Sequence, residues 1–260
     1  MGNIDGIDRS NREEIKSLIE ATFRKNVLGR VPDLTGYNQA HDGAEGDWLT
    51  KQMGLTVNGL NEPDFHGFEM KKDSKGKTTF GDWPPDFALY KGPNKIFDQD
   101  TFLSIFGSPN PLKGNRFSWS GRVFPKVGTF NEYGQMLTVG TNLDILAIYR
   151  HSLNRVDSSR NSIPAYFHSV DTVMAQWSHS NLKTRLERKF NQLGWFRCLK
   201  NSNGAYDRVQ FGLPINIETF MPLFKAGTIF IDCGMHQGNS RPYMTFRANN
   251  NIWDSLAEDE

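Results

Sequence analysis

The chain has 260 residues, room for one large domain or two lobes, and its 30 Lys and Arg against 29 Asp and Glu leave a formal charge of +1. That balance excludes a globally basic nucleic-acid binder, so DNA binding would need its cations gathered on one face; the acids near both ends leave a more basic body between them. Two cysteines, Cys198 and Cys233, make neither a disulfide framework nor a zinc site, and with no signal peptide and no apolar run of bilayer length they predict a cytoplasmic protein with no membrane partner.

In chain order, Asp8 or Ser10 is expected to cap a helix running to about Lys25, with Ile15, Leu18, Ile19 and Phe23 as its apolar stripe. A polar stretch from Gly29 to Gly46 leads to a short helix from Asp47 to Met53, closed by Gly54. Residues 64–72 read as a strand, and Thr79-Phe80 and Phe87 to Tyr90 as further short strands. Residues 100–134 are loop-rich and aromatic. Within them, Asn115 to Arg122 interleaves arginine, aromatics and small hydroxyls, a composition that suits phosphate contacts and a plain surface hairpin equally. Leu143 to Tyr149 reads as a buried strand. Val173 to Leu193 reads as one long helix, with Met174, Trp177, Leu182, Leu186, Phe190 and Leu193 apolar. Its other surface, carrying Lys183, Arg185, Arg188 and Lys189, is either solvated or turned to DNA phosphates. Tyr206 to Phe211 and Thr228 to Asp232 are expected strands.

The stretch with chemistry in it is Pro63 to Lys71. Phe68-Glu69-Met70-Lys71 alternates with the period of a half-buried strand, so Glu69 and Lys71 share one face while Phe68 and Met70 enter a core. Gly67 permits a bend that carries Asp64 to the side of Glu69. Two carboxylates sharing a site repel, and Mg²⁺ between them removes that repulsion; Mg²⁺ is typically held by one or two carboxylates plus phosphate and water. Lys71 beside them can orient or deprotonate a water or stabilise charge on a phosphorus centre. The bland alternative, a surface strand with a salt bridge, fits the bare pattern as well. His66 between hydrophobic residues reads as structural, and no Gly-rich phosphate loop followed by Lys-Ser/Thr is present.

Three ordered stretches together resemble the MvaI/BcnI branch of the MutH-like type II restriction endonucleases: Gly43 to Gly54, Pro63 to Lys71, and Phe230 to Arg247. The resemblance implies a PD-(D/E)xK α/β fold, a mixed sheet flanked by helices in a two-lobed clamp around DNA, with a catalytic lobe at about 1–160 and a recognition lobe at about 161–260. It implies Mg²⁺-dependent, site-specific hydrolysis of double-stranded DNA to 5′-phosphates by a monomer, in a restriction system with a cognate DNA methyltransferase. By position, Asp64 and Glu69 become metal ligands and Lys71 the catalytic lysine. Thr50 departs from the pattern, standing where the family has a glutamate turned to the metal. An engineered loss of activity, favoured by the intact surrounding motif, competes with compensation by Glu45 or Asp47 and with a protein that works without that group. In the third stretch the resemblance favours His236 and Arg241 for base contacts, then Tyr243 and Arg247, in a GC-rich, CC…GG-type site; Lys113 and Arg116 are the phosphate or minor-groove candidates. Without the resemblance, Arg247 would simply pair with Asp232 and His236 cap a turn. A mismatch-repair nicking enzyme and a DNA-binding protein with a decayed site are the alternative functions.

Overall fold

The computed structural model describes residues 9–37, 43–56, 60–74, 76–93 and 95–258. In chain order its elements are α1 (Arg9–Asn26), α2 (Ala44–Gln52), β1 (Phe68–Lys72), β2 (Lys77–Asp82), β3 (Phe87–Ala88), α3 (Gln99–Phe106), β4 (Ser108–Asn110), β5 (Arg116–Ser120), β6 (Tyr133–Val139) and β7 (Ile145–Asn154). There follow α4 (Asp157–Arg160), β8 (Thr172–Trp177), α5 (His179–Phe190), β9 (Gly194–Lys200), β10 (Tyr206–Gly212), α6 (Ile217–Lys225), β11 (Phe230–His236), β12 (Tyr243–Asn249) and α7 (Ile252–Leu256). Asp8, one expected cap of α1, lies outside the described residues, and Ser10 stands inside the helix. No helix among the described residues is long and apolar enough to cross a membrane.

The chain divides into two compact units, one of Met1–Gly76, Thr184–Ile217 and Asn250–Glu260, the other of Lys77–Lys183 and Glu218–Asn249. These are not the contiguous halves expected at 1–160 and 161–260. The difference has a topological cause. β1 pairs in parallel with β9, a strand more than a hundred residues away, and β12 and β11 pair with β2 and β5, so each sheet gathers strands from both halves of the chain.

The first unit is a mixed three-stranded sheet, β1-β9-β10, with helices on both faces. Strand alternation decides which face each residue meets. Phe68 and Met70 of β1, Phe196 and Cys198 of β9, and Val209 and Phe211 of β10 join Ile19 and Phe23 of α1, Val27 just after it, and Trp48 and Leu49 of α2 in one core cluster. Glu69 and Lys71 point the other way, on the face of Trp195 and Arg197, their register partners on β9. Phe190 of α5 and Trp253 of α7 cover that face; Trp253 packs on Trp195 with ring centroids 4.7 Å apart.

The second unit holds two antiparallel sheets, β2-β12-β11-β5-β4 and β3-β8-β7-β6. Its core is aromatic, with Trp119, Phe102, Phe106, Trp177, Phe220 and Phe246 fully buried. The expected helix from Val173 to Leu193 is instead a strand followed by a helix. Residues 172–177 pair with β7 and β3, and the chain turns at Ser178, whose amide donates to Asp86 Oδ2 at 2.8 Å while the His179 amide donates to Asp144 Oδ1 at 2.7 Å. Both acids come from remote loops, so the helix start is set by tertiary contacts. Residues 100–134, expected to be mostly loop, contain α3, capped by Asp98 through the Thr101 amide at 2.7 Å.

Candidate active site and base-reading face

A two-residue turn builds the acid pair. Phe65 and Phe68 exchange both backbone hydrogen bonds, at 2.9 and 2.8 Å, around His66 (φ 45°) and Gly67 (φ 96°). Positive φ at both central residues is the tight-hairpin conformation, and it is why glycine stands second. The turn folds Asp64 back along β1, where its Oδ2 accepts from the Met70 amide at 3.0 Å. Gly67 is also tight in space, since a Cβ there would lie 3.0 Å from Leu193 Cγ. His66 is exposed and packs edge-on against Phe65.

Glu69 is 2% exposed. Its Oε1 accepts from Lys71 Nζ at 2.7 Å and lies 3.1 Å from Lys189 Nζ of α5, while its Oε2 is buried with no hydrogen-bond partner. A buried carboxylate oxygen left bare is costly, and in a native protein it marks a place for an ion or a water. Asp64 feels the same crowding. Loss of solvent, then the charge of Glu69, raises its carboxyl to about 6, while Lys71, the Met70 amide and Lys189 pull it down. Much of the Asp64 surface still reaches solvent, which screens part of that shift. Burial lowers Lys71 from the ordinary lysine range, against the pull of Glu69; its ammonium stands 5.1 Å from the Phe190 ring centroid and 5.9 Å from that of Trp253.

These residues fit a divalent cation. Two carboxylates raise one another's cost of ionisation, one oxygen is unsatisfied, and a lysine adjoins them. Among the described residues no group of three or more acids, histidines or cysteines is assembled, so the protein offers a carboxylate pair with the remaining positions left to water and phosphate.

Asp64, Glu69 and Lys71 are thus brought together, whereas Thr50 stands apart from their hydrogen bonds. It lies on α2, and its Oγ1 donates to the Gly46 carbonyl one turn back at 2.8 Å. Trp48 and Leu49 of that helix pack with Phe68 and Met70, the side of β1 opposite Glu69 and Lys71. Glu45, considered as a compensating acid, instead accepts from Lys200 Nζ at 2.7 Å and Tyr206 Oη at 2.8 Å. The residue that sequence reasoning placed elsewhere is Lys189, grouped with a basic helix surface.

The second set of candidates gathers in the other unit. Register pairs Gly234 with Tyr243, Phe230 with Arg247, and His236 with Ser118, two residues beyond Arg116. Paired and alternate residues share a face, so Arg116, His236, Tyr243 and Arg247 lie on one side of the five-stranded sheet, opposite the buried Met235, Met244, Phe246 and Trp119. The plain readings of two of them are realised as well. Arg247 Nη1 pairs with Asp232 Oδ2 at 2.7 Å, and His236 Nδ1 is 2.9 Å from the Gln237 carbonyl oxygen. Arg116 Nε is buried without a partner. Arg241 is exposed on the β11–β12 loop. That loop is braced by Gln99, which donates to the Asn239 carbonyl at 2.9 Å, and by the Gly238 amide, which donates to Asp100 at 3.2 Å. Lys113 is exposed in a 3-10 turn, Pro111–Lys113.

The LlaMI restriction endonuclease family model matches residues 28–260. The type II restriction enzyme ScrFI of Lactococcus lactis subsp. cremoris is 40% identical over 257 residues, covering 91% of this chain and 95% of its own. The fold is similar to that of restriction endonuclease MvaI in a complex with its cognate DNA substrate, at a TM-score of 0.58 and 13% identity over 94% of this chain and 97% of that one. The chain belongs to the LlaMI restriction endonuclease family and is a type II restriction enzyme, a site-specific deoxyribonuclease.

Proposed function

We propose that Asp64 and Glu69 hold Mg²⁺, that Lys71 serves the attacking water, and that the β11–β12 sheet face reads a short GC-rich site of CC…GG type in double-stranded DNA. The observation carrying this reading is the bare, buried Oε2 of Glu69 beside Asp64 and Lys71. Bound Mg²⁺ would supply Lewis-acid polarisation of the scissile phosphate and a more acidic water. Asp64 and Glu69 contribute the oxygen ligands, and the turn at His66-Gly67 holds Asp64 in place. The Phe190 and Trp253 rings exclude bulk water from Lys71, which lowers its hold on its proton and suits it to proton transfer at Nζ. The products would be a 5′-phosphate and a 3′-hydroxyl, with strands cut one at a time by a monomer. A cognate methyltransferase would protect the host's own sites.

Arg247 on the sheet face and Arg241 on the adjoining β11–β12 loop carry guanidinium groups suited to bidentate bonds with guanine O6 and N7, and His236 can donate to the same edge. Arg116 and Lys113 suit phosphate. Digestion of a sequenced plasmid with Mg²⁺, with fragment ends read, tests the whole reading. Cutting at one short GC-rich sequence with 5′-phosphates is expected, and Asp64→Asn should abolish it. Ends scattered through unrelated sequence, or cutting that survives Asp64→Asn, would overturn it. Thr50→Glu restores the carboxylate that the resemblance expects, and the rate should rise about tenfold, the lower range for supporting groups of a metal site. An unchanged rate would assign Thr50 to the helix alone.

A further inference from the structure

Lys189 has no part in the triad, yet it reaches the same carboxylate oxygen as Lys71. Its Nζ lies 3.1 Å from Glu69 Oε1 and its side chain is 15% exposed. A nearly dehydrated ammonium is costly unless paired, and two of them converge on one oxygen while Oε2 stays bare. Lys71 is there because strand alternation puts it beside Glu69. Lys189 arrives from a separate element, α5, whose next residue, Phe190, is fully buried on the same face of the sheet.

Charge bookkeeping gives this second cation a purpose. Two carboxylates cancel a divalent ion, so once metal is bound the surplus positive charge facing the reaction comes from the lysines alone. An anionic phosphodiester attacked by hydroxide gathers two negative charges at phosphorus. One lysine answers half of that, and two answer all of it.

We propose that Lys189 is a charge-balancing, positioning residue of the cleavage centre, acting through Glu69 to supply the second positive charge that the metal-loaded site presents to the scissile phosphate. This rests on the reading of Asp64 and Glu69 as metal ligands. It is charge and not the hydrogen bond that matters, so three substitutions separate the roles: Lys189→Met removes both, Lys189→Gln keeps a donor without charge, and Lys189→Arg keeps the charge.

Mn²⁺ binding to each folded protein, followed by titration calorimetry, and kcat and KM on supercoiled plasmid are the measurements. Lys189→Met and Lys189→Gln should bind Mn²⁺ as tightly as the parent or more tightly, since a repelling cation is gone. Both should lose about tenfold or more in kcat with KM little changed. Lys189→Arg should stay within about threefold of the parent. Full activity in Lys189→Gln, weaker Mn²⁺ binding in both neutral variants, or a loss confined to KM would each overturn the proposal. If Lys189→Met does not fold, the Gln and Arg pair still decides. Glu69→Gln separates this inference from the reading beneath it. If Glu69→Gln still binds Mn²⁺ and cuts, the metal-site reading fails; if it is dead while Lys189→Gln is fully active, only the role of Lys189 fails.

Discussion

At the candidate site, the surroundings of Asp64 change its acidity. Its carboxyl is raised to about 6 from 3.8, by lost solvent first and by Glu69 second. A raised carboxyl is a stability contribution that is complete below pH 3.8 and lost as pH rises through about 6, so the metal-free protein should weaken over that window on its account. Asp64→Asn should therefore melt higher than the parent at pH 8 without metal and show no such gain at pH 4, as read by thermal unfolding. Function runs the other way. The protonated acid cannot hold a cation, so at sub-saturating Mg²⁺ the cleavage rate should fall as pH drops through about 6, and added Mg²⁺ should restore it. An apparent Mg²⁺ affinity flat from pH 8 to pH 5 would remove Asp64 from the metal site. Glu69 and Lys71 were legible from the chain because a strand's two-residue period places them together whatever else the protein does. Lys189 was not, because no local rule carries the side chain of a helix near residue 189 to a strand near residue 69.

Among the elements, the His66-Gly67 turn and the β11–β12 pair set the two candidate sites. Gly67 combines a φ of 96° with a Cβ position 3.0 Å from Leu193 Cγ. Gly67→Ala should cost about 1–3 kcal/mol in urea unfolding and also reduce cleavage, because the turn that strains is the one presenting Asp64. A fully stable, fully active variant would show that the turn is more yielding than its geometry. On the other sheet, the Tyr243 ring lies over Gly234, where a Cβ would come within 2.1 Å of the ring. Tyr243 is half exposed and able to swing, so Gly234→Ala should fold normally while displacing the ring. Gel-shift affinity for plasmid fragments carrying the site should then drop with little change in melting temperature; unchanged affinity would take Tyr243 off the reading face. The strand over 172–177 and the helix over 179–190 were read as one helix because a buried strand and a buried helix segment share an apolar composition. The break between them is made by Asp86 and Asp144, acids distant in the chain.

For the whole molecule, a net charge of +1 means that DNA affinity must come from local placement of cations. Arg241 and Lys113 offer the contrast. Arg241→Ala should lower affinity for the cognate site far more than for unrelated plasmid, by about 1–3 kcal/mol. Lys113→Ala should weaken both about equally and flatten the dependence on salt by about one counterion, measured by fluorescence anisotropy across KCl concentrations. Equal losses on both DNAs for Arg241→Ala would make it a phosphate contact. By itself the sequence determined the α/β class, the turn-and-strand stretch bearing Asp64, Glu69 and Lys71, and the family to which the chain belongs, since these rest on local periodicity, turn chemistry and motif order. Only the tertiary structure decided that the two units interleave along the chain, that the Thr50 hydroxyl bonds the Gly46 carbonyl while Lys189 reaches Glu69, and that Arg116, His236, Tyr243 and Arg247 share a sheet face. Those outcomes depend on parallel and antiparallel pairing between strands far apart in the chain, and such pairing leaves no mark on any short stretch of residues.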